Sequence, residues 1–186
     1  MKKIPTIFIR DLCAQPALVT PEVTPGCEWV LSGEGVATRK YDGMCCAVID
    51  RVLWKRREVK PGKPVPDGFV QTDEDPVTGK KFGWLRIGDG PNDTYFRDAV
   101  VLDHDFQEGT YELLGPKVQG NPEEFEQRTW LKHSEAEVLA DAPRTFDGLW
   151  EYLKVNDIEG IVFHHEDGRM AKIKGKDFGI KRAVPT

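Results

Sequence analysis

Short apolar runs bounded by polar or glycine-containing turns recur along the chain and predict β-strands. Met44 to Asp50 and Val52 to Arg57 are two such runs, separated by a single residue. Further strands are predicted at 4–9, 28–31, 36–39 and 110–114. Strands outnumber helices, and their connections favour an α+β fold of mostly antiparallel sheets with flanking helices over a doubly wound parallel sheet.

Helical spacing of apolar residues is clearest after Thr145. Phe146, Leu149, Trp150 and Leu153 recur at intervals of three or four residues, which is typical of a helix with one apolar face. Threonine is a residue type favoured at the position that caps a helix N-terminus. We therefore predict that a helix begins after Thr145.

Two strand-like runs near the end of the sequence predict a β-hairpin. They are 158–164 and 170–175, and Asp167-Gly168 between them is a strong signal for a two-residue hairpin loop. Such a loop places Phe163 opposite Lys172 and Ile161 opposite Lys174.

This predicted register has a consequence for charged side chains. Because side chains alternate along a strand, Glu159 and Phe163 would share one face with Lys172 and Lys174. One carboxylate and two amines would then line one wall of a cleft. A slip of one residue would instead send Glu159 to the face opposite both lysines.

Length and composition predict one sizeable core. The chain has 186 residues, of which 39% are hydrophobic, so a single domain spanning 1–186 is expected, with 1–27 as an N-terminal extension packed on it. The sequence has no apolar run of membrane-spanning length, and no signal-peptide core follows Met1-Lys2-Lys3. We therefore expect a cytoplasmic protein without a membrane partner.

The net charge of −5 at first disfavours a nucleic-acid partner, because contacts with phosphate normally dominate such binding. The basic residues are clustered, however, and local potential governs the docking of an anion. One cluster comprises Arg51, Lys55, Arg56, Arg57, Lys60 and Lys63, and the other comprises Arg169, Lys172, Lys174, Lys176, Lys181 and Arg182.

The four cysteines have neither the spacing of zinc ligands nor that of an obvious disulfide framework. Cys45 and Cys46 are adjacent in a predicted strand, so they should point to opposite faces. Reduced thiols are the expected state.

Three runs contain the residues with the most specific chemistry. Lys40-Tyr41-Asp42-Gly43 is followed at a distance by Glu159-Gly160-Ile161-Val162-Phe163 and then by Lys172-Ile173-Lys174. A lysine with a pKa of ~10.4 is protonated at neutral pH and is a poor nucleophile unless nearby cations lower that pKa. Lys172 and Lys174 can supply positive charge for two purposes, to lower the pKa of a nearby lysine and to stabilise a reacting phosphate. Glu159 can hold a divalent cation through hard oxygen ligands.

In this order the three runs resemble motifs I, IV and V of the covalent nucleotidyltransferases, the superfamily of polynucleotide ligases and mRNA-capping enzymes. The resemblance implies an ATP-grasp-like nucleotidyltransferase fold in which Lys40 takes a nucleoside monophosphate from a triphosphate. It implies that Asp42 orients the site, and that Asp42 and Glu159 hold Mg²⁺ or Mn²⁺. Lys172 and Lys174 would neutralise phosphate charge. The alternative is that Lys40 is an ordinary solvated lysine in a turn.

The resemblance extends to the middle of the chain. Tyr111-Glu112-Leu113-Leu114-Gly115-Pro116 resembles motif III of RNA ligases, which implies that Glu112 binds the ribose. Arg56 or Arg57 lies where the family has a basic motif. Further stretches, such as 4–10, 34–40 and 59–63, are similar to small single-domain RNA ligases of vertebrates and their bacterial and viral relatives. The nucleotide-binding set implied by the resemblance is Arg39, Lys40, Arg56, Arg57, Glu112, Phe163, Lys172 and Lys174.

Two departures favour RNA ligases over the other branches of the superfamily. Cys45 stands where DNA ligases usually have an arginine, and the sequence has no room after Lys174 for an OB domain. The expected activity is therefore ATP-dependent joining of 5′-phosphate and 3′-hydroxyl RNA ends in RNA repair. Three alternatives stay open, namely a guanylyltransferase, a DNA ligase and a catalytically silent module that binds RNA ends. Trp130 or Phe125 could stack on adenine, although a core position is the commoner role for such aromatic residues.

Overall fold

The computed structural model describes residues 2–101 and 106–182, and its fold is α+β with mostly antiparallel sheets, as predicted. The described chain divides into two compact units. The first comprises 2–3 and 42–135, and the second comprises 4–41 and 136–182. That the whole chain forms one domain with an N-terminal extension stays a prediction.

The strands alternate with short helices and turns along the chain. The twelve strands described are β1 (Phe8–Arg10), β2 (Val19–Val23), β3 (Val36–Lys40), β4 (Met44–Ile49), β5 (Val52–Val59), β6 (Val70–Glu74), β7 (Lys81–Arg86), β8 (Val100–Val101), β9 (Gly109–Leu114), β10 (Thr129–Lys132), β11 (Gly160–His164) and β12 (Met170–Lys174). The α-helices are α1 (Glu28–Leu31), α2 (Thr94–Arg97) and α3 (Phe146–Val155), and 3₁₀ turns span Pro91–Asp93, His133–Glu135 and Gly175–Phe178.

The first unit is built on one seven-stranded sheet. Its strand order is β6-β7-β5-β4-β9-β10-β8, and every pair is antiparallel except β8 with β10. Cys46, Tyr111, Leu113 and Trp130 are buried together in its core. Cys45 lies on the opposite face of β4 from Cys46, as alternation predicts, and is half-buried.

The second unit contains the three-stranded antiparallel sheet β12-β11-β3. Both edges of this sheet are extended by single bridges, from Thr6 to Lys172 on one side and from Val138 to Thr38 on the other. One face is apolar and packs into a core with α3. That core includes Ala37, Leu149, Leu153, Ile161, Phe163, Ala171 and Ile173.

The helices confirm one prediction and correct another. Helix α3 begins after Thr145, whose hydroxyl accepts a hydrogen bond from the Gly148 N–H at 3.2 Å. The strand predicted at 28–31 is wrong, because this segment is the short helix α1 with Trp29 and Val30 buried. Within the described ranges no helix has the length and apolar character needed to cross a membrane.

The hairpin of β11 and β12 forms, but its predicted register is wrong by one residue. Val162 pairs with Lys172, and Phe163 pairs with Ala171. The His165 N–H donates to the Arg169 carbonyl at 2.9 Å, which leaves three residues in the loop and not two. Gly168 has φ of +88°, as expected for a three-residue loop that ends in a left-handed glycine.

Candidate active site

Three lysines lie on one face of the β12-β11-β3 sheet. Lys40 and Lys174 lie opposite each other across Gly160, which pairs with both. In the next row, Val162 pairs with Lys172. Since side chains two residues apart point to the same face, Lys172 and Lys174 share the face of Lys40.

Glu159 joins two of these lysines. One carboxylate oxygen (Oε2) lies 2.5 Å from Lys40 Nζ, and the other (Oε1) contacts Lys174 Nζ. The Glu159 carbonyl accepts a hydrogen bond from the Gly175 N–H at 3.0 Å. Glu159 lies just before β11, so the alternation within the strand does not dictate where its side chain points. The register of the hairpin differs by one residue from the prediction, yet Glu159 still contacts Lys40 and Lys174.

Backbone packing explains why two of the motif positions are glycines. A Cβ at Gly160 would meet the Ile173 carbonyl and Lys174 Cα. In the first unit, a Cβ at Gly43 would meet the Leu113 carbonyl and Glu112 Cγ. Each glycine thus allows a close approach of neighbouring strands, which any larger residue would prevent.

The lysine cluster strongly favours anions. Burial raises the pKa of the Glu159 carboxyl, but the amines of Lys40 and Lys174 outweigh that effect and hold the pKa below its usual value. Burial and then the Lys40 charge lower the pKa of Lys174. Burial, reinforced by Lys174 and Lys40, lowers the pKa of Lys172 to about 8. Three amines and one carboxylate therefore share a partly desolvated site.

Replacing Lys172 with Met is expected to stabilise the fold at pH 7, by up to about 3 kcal/mol. The pKa of Lys172 is about 8 in the folded protein and 10.5 without its surroundings. The unfolded chain therefore binds this proton more tightly than the folded protein does. The resulting loss of folding free energy is complete below pH 8, where Lys172 is charged in both states, and disappears above pH 10.5, where it is neutral in both. Urea denaturation at pH 7 and pH 9.5 should show a larger gain at pH 7.

The control for this variant is Lys154→Met, at an exposed lysine on α3, which should leave the free energy of unfolding nearly unchanged. A Lys172→Met variant that is no more stable than the parent, or equally stabilised at both pH values, would contradict the burial of an unfavourable charge.

Asp177 holds the end of β12 in place and was missed from the sequence. It is buried, accepts a hydrogen bond from the Lys174 N–H at 3.0 Å and forms an ion pair with Arg10. The sequence does contain a signal for it, because an acidic residue three positions after the residue that begins a turn can accept a hydrogen bond from the backbone N–H of that first residue. Asp177 thereby fixes the backbone that carries Lys174.

Glu112 is one of the buried carboxylates of the first unit, along with Asp75 and Asp93. It lies in β9 opposite Cys45 on β4 and Leu131 on β10, and only 7% of its surface is exposed. Its Oε2 atom lies 3.0 Å from His133 Nε2, and His133 Nδ1 lies 2.9 Å from the Thr110 hydroxyl. His133 was not identified from the sequence, because an isolated histidine gives no recognisable pattern.

The strand register separates the two candidate arginines. Lys55 pairs with Cys46, so the side chain of Arg56 lies on the sheet face of Cys45 and Glu112. Arg57 lies on the other face and is exposed. Of the two, Arg56 is therefore the one that shares a face with Glu112.

The structure also gives the positions of three further candidate residues, Phe163, Arg39 and Trp130. Phe163 is fully buried in the core, so its predicted place beside Lys172 and Lys174 is wrong, and it has no exposed surface for a nucleotide. Arg39 lies on the face opposite Lys40, with its guanidinium 4.9 Å from the Tyr41 ring centroid. Trp130 is a core residue whose indole N–H donates to the Phe96 carbonyl at 3.1 Å.

The predicted metal ligands are compatible with one mode of binding. Within the described residues, no group of three or more His, Cys, Asp or Glu side chains could hold a metal by itself. Mg²⁺ at nucleotide sites commonly takes one or two carboxylates together with water and substrate phosphates. Glu159 fits that mode, whereas the role of Asp42, whose N–H donates to Glu123 at 2.9 Å, stays a prediction.

Comparison with known proteins shows a distant similarity to an RNA ligase. No protein-family model matches the chain. The chain is 23% identical to RNA ligase 1 of Danio rerio, in an alignment that covers 98% of this chain and 82% of that protein. This similarity supports a relationship to RNA ligases.

Proposed function

We propose that this protein is an ATP-dependent RNA ligase that joins 5′-phosphate and 3′-hydroxyl ends through a lysyl-AMP intermediate. The observation that carries the proposal is the contact of Glu159 with both Lys40 and Lys174, on the sheet face that also bears Lys172. The similarity to an RNA ligase supports RNA as the polynucleotide. Repair of RNA in the cytoplasm is the proposed setting.

In the first step, Lys40 Nζ attacks the α-phosphate of ATP. A phosphorus–nitrogen bond forms, the bond to the β-phosphate bridging oxygen breaks, and pyrophosphate leaves. The amine must lose a proton and turn from Glu159 towards the phosphate. Lys172 and Lys174 favour both events, because their charges repel an ammonium and attract the phosphates.

The second and third steps transfer the nucleotide and then replace it. The 5′-phosphate of an RNA end attacks lysyl-AMP, which forms a 5′-5′ pyrophosphate linkage and frees Lys40. A 3′-hydroxyl then attacks the activated RNA phosphate and releases AMP. We propose that Glu112 binds the ribose, that Asp42 orients the ribose or the incoming hydroxyl, and that Arg56 is the arginine that contacts phosphate.

A divalent cation, Mg²⁺ or Mn²⁺, would stabilise the charge that develops on the phosphate oxygens when it is bound. Glu159 would hold it, with Asp42 as a second ligand. The carboxylate of Glu159 has two roles in this proposal, since it also offsets part of the positive charge of Lys40 and Lys174 before the substrate arrives.

Incubation with α-labelled ATP and, separately, α-labelled GTP tests the proposal. After denaturing electrophoresis, ATP should leave one labelled AMP per chain, in a bond that acid breaks and base does not. GTP should leave no label. Transfer of GMP instead would identify a guanylyltransferase, and no transfer from either nucleotide would support a silent module that binds RNA ends.

A further inference from the structure

Thr110, His133 and Glu112 form a chain of hydrogen-bonded polar side chains in the first unit. The carboxylate can only accept hydrogen bonds when ionised, so His133 Nε2 must carry the hydrogen that it donates at 3.0 Å. In neutral His133 the other nitrogen then accepts from the Thr110 hydroxyl at 2.9 Å. The order of donation is Thr110 to His133 to Glu112.

This arrangement leaves the second oxygen of Glu112 available. Within the described residues, Oε1 of Glu112 has no hydrogen-bond partner, whereas Oε2 is held by His133. A nearly buried carboxylate is costly unless it is paired, and its cross-strand neighbours, Cys45 and Leu131, offer no charge. His133 therefore supplies the pairing for one oxygen, and the other stays able to accept a hydrogen bond from a ligand.

Local structure fixes the position of His133. It follows β10 directly and begins the 3₁₀ turn His133–Glu135, while Thr110 and Glu112 lie two residues apart on the same face of β9. The imidazole thus spans two successive side chains of one strand. Such a two-point attachment limits rotation of the ring and with it the orientation of the Glu112 carboxylate.

We propose that His133 is a positioning residue that aims Glu112 at a ribose hydroxyl of the nucleotide and thereby gives the enzyme its selectivity for ribonucleotides over deoxynucleotides. The inference rests on the proposed function, because it needs Glu112 to bind the ribose. A purely structural role for His133 would affect all nucleotides alike. Selectivity between nucleotides that differ by one hydroxyl distinguishes the two roles.

The test measures label transfer to the protein from ATP, 2′-deoxy-ATP and 3′-deoxy-ATP over a range of concentrations. The parent should discriminate against one deoxynucleotide by about 10- to 100-fold in kcat/KM. His133→Ala should raise KM for ATP about tenfold, leave the values for that deoxynucleotide nearly unchanged, and thereby reduce the discrimination about tenfold. His133→Gln, which retains an N–H donor, should recover part of it.

Two further variants complete the design. Thr110→Ala, which removes the second attachment of the ring, should reduce the discrimination less than His133→Ala and serves in its place if that variant does not fold. His165→Ala is the matched control, because His165 also pairs with a glutamate, Glu34, at 2.9 Å. It should leave the discrimination unchanged.

The outcomes separate this inference from the proposed function. A parent that takes no label from ATP would overturn both. A parent that is labelled but treats both deoxynucleotides like ATP would overturn the ribose contact of Glu112 and with it the role of His133, and would leave AMP transfer standing. A His133→Ala variant that folds and keeps full discrimination would overturn the role of His133 alone.

Discussion

Lys40→Ala is expected to reduce AMP transfer from ATP to the protein by at least about 10³-fold, because the amine that forms the bond is gone. Lys40→Arg should be equally inactive. It keeps a positive charge beside Glu159, but a guanidinium does not deprotonate under these conditions and cannot act as the nucleophile. The measurement is label retained after denaturing electrophoresis.

Lys154→Ala provides the control for these two variants, since Lys154 is exposed and its amine lies 4.6 Å from the Trp150 ring centroid. It should be labelled like the parent. If Lys40→Ala retained label, another residue would be the nucleophile. If only Lys40→Arg retained label, the lysine would contribute charge and not the covalent bond.

Glu159→Ala is expected to join RNA that is already adenylylated at a rate lower than that of the parent by about 10²-fold or more. The substitution removes the proposed cation ligand and leaves Lys40 and Lys174 without the carboxylate that lies between them. Lys40→Ala should retain measurable joining of this RNA, because adenylylated RNA bypasses the attack on ATP. Gel separation of joined and unjoined RNA under single-turnover conditions measures both rates.

Glu159→Gln distinguishes charge from shape in this experiment. The amide has the size of the carboxylate but neither its charge nor its affinity for a cation, so we expect a loss close to that of Glu159→Ala. Equal loss in Lys40→Ala and Glu159→Ala would show that Lys40 has a role in sealing beyond carrying AMP. Unimpaired joining by both Glu159 variants would remove Glu159 from this step.

The sequence predicts the elements whose determinants are local. Strands β4, β5 and β9 follow from runs of apolar and β-branched residues, and α3 follows from Thr145 and the spacing of the apolar residues after it. The segment 28–31 fails, because four residues are too few to distinguish a strand from one turn of helix. Burial of Trp29 and Val30 against the rest of the unit decides its conformation.

The alternation of residues along two strands does not specify the register in which the strands pair. Asp167-Gly168 is compatible with loops of two or three residues, and the choice between them shifts every pair of β11 and β12 by one position. The prediction that Glu159 and Lys174 meet succeeded for a reason other than the one that led to it, since Glu159 lies outside the strand. The hydrogen bonds from His133 to Glu112 and Thr110 depend on tertiary structure, which no local spacing encodes.

The pairing of β3 with β11 has a consequence for how the protein is synthesised and folds. Thr38 and Val162 lie opposite each other in this pairing although they are 124 residues apart in the sequence. Ribosomes that add about 5 to 20 residues per second need roughly 6 to 25 s to get from one to the other. During that interval the strand bearing Lys40 has neither its hydrogen-bonding neighbour nor Glu159 and Lys174. On the proposed mechanism a nascent chain would not react with ATP during that time. It exposes an unpaired β-edge, for which early binding by a chaperone would be an advantage.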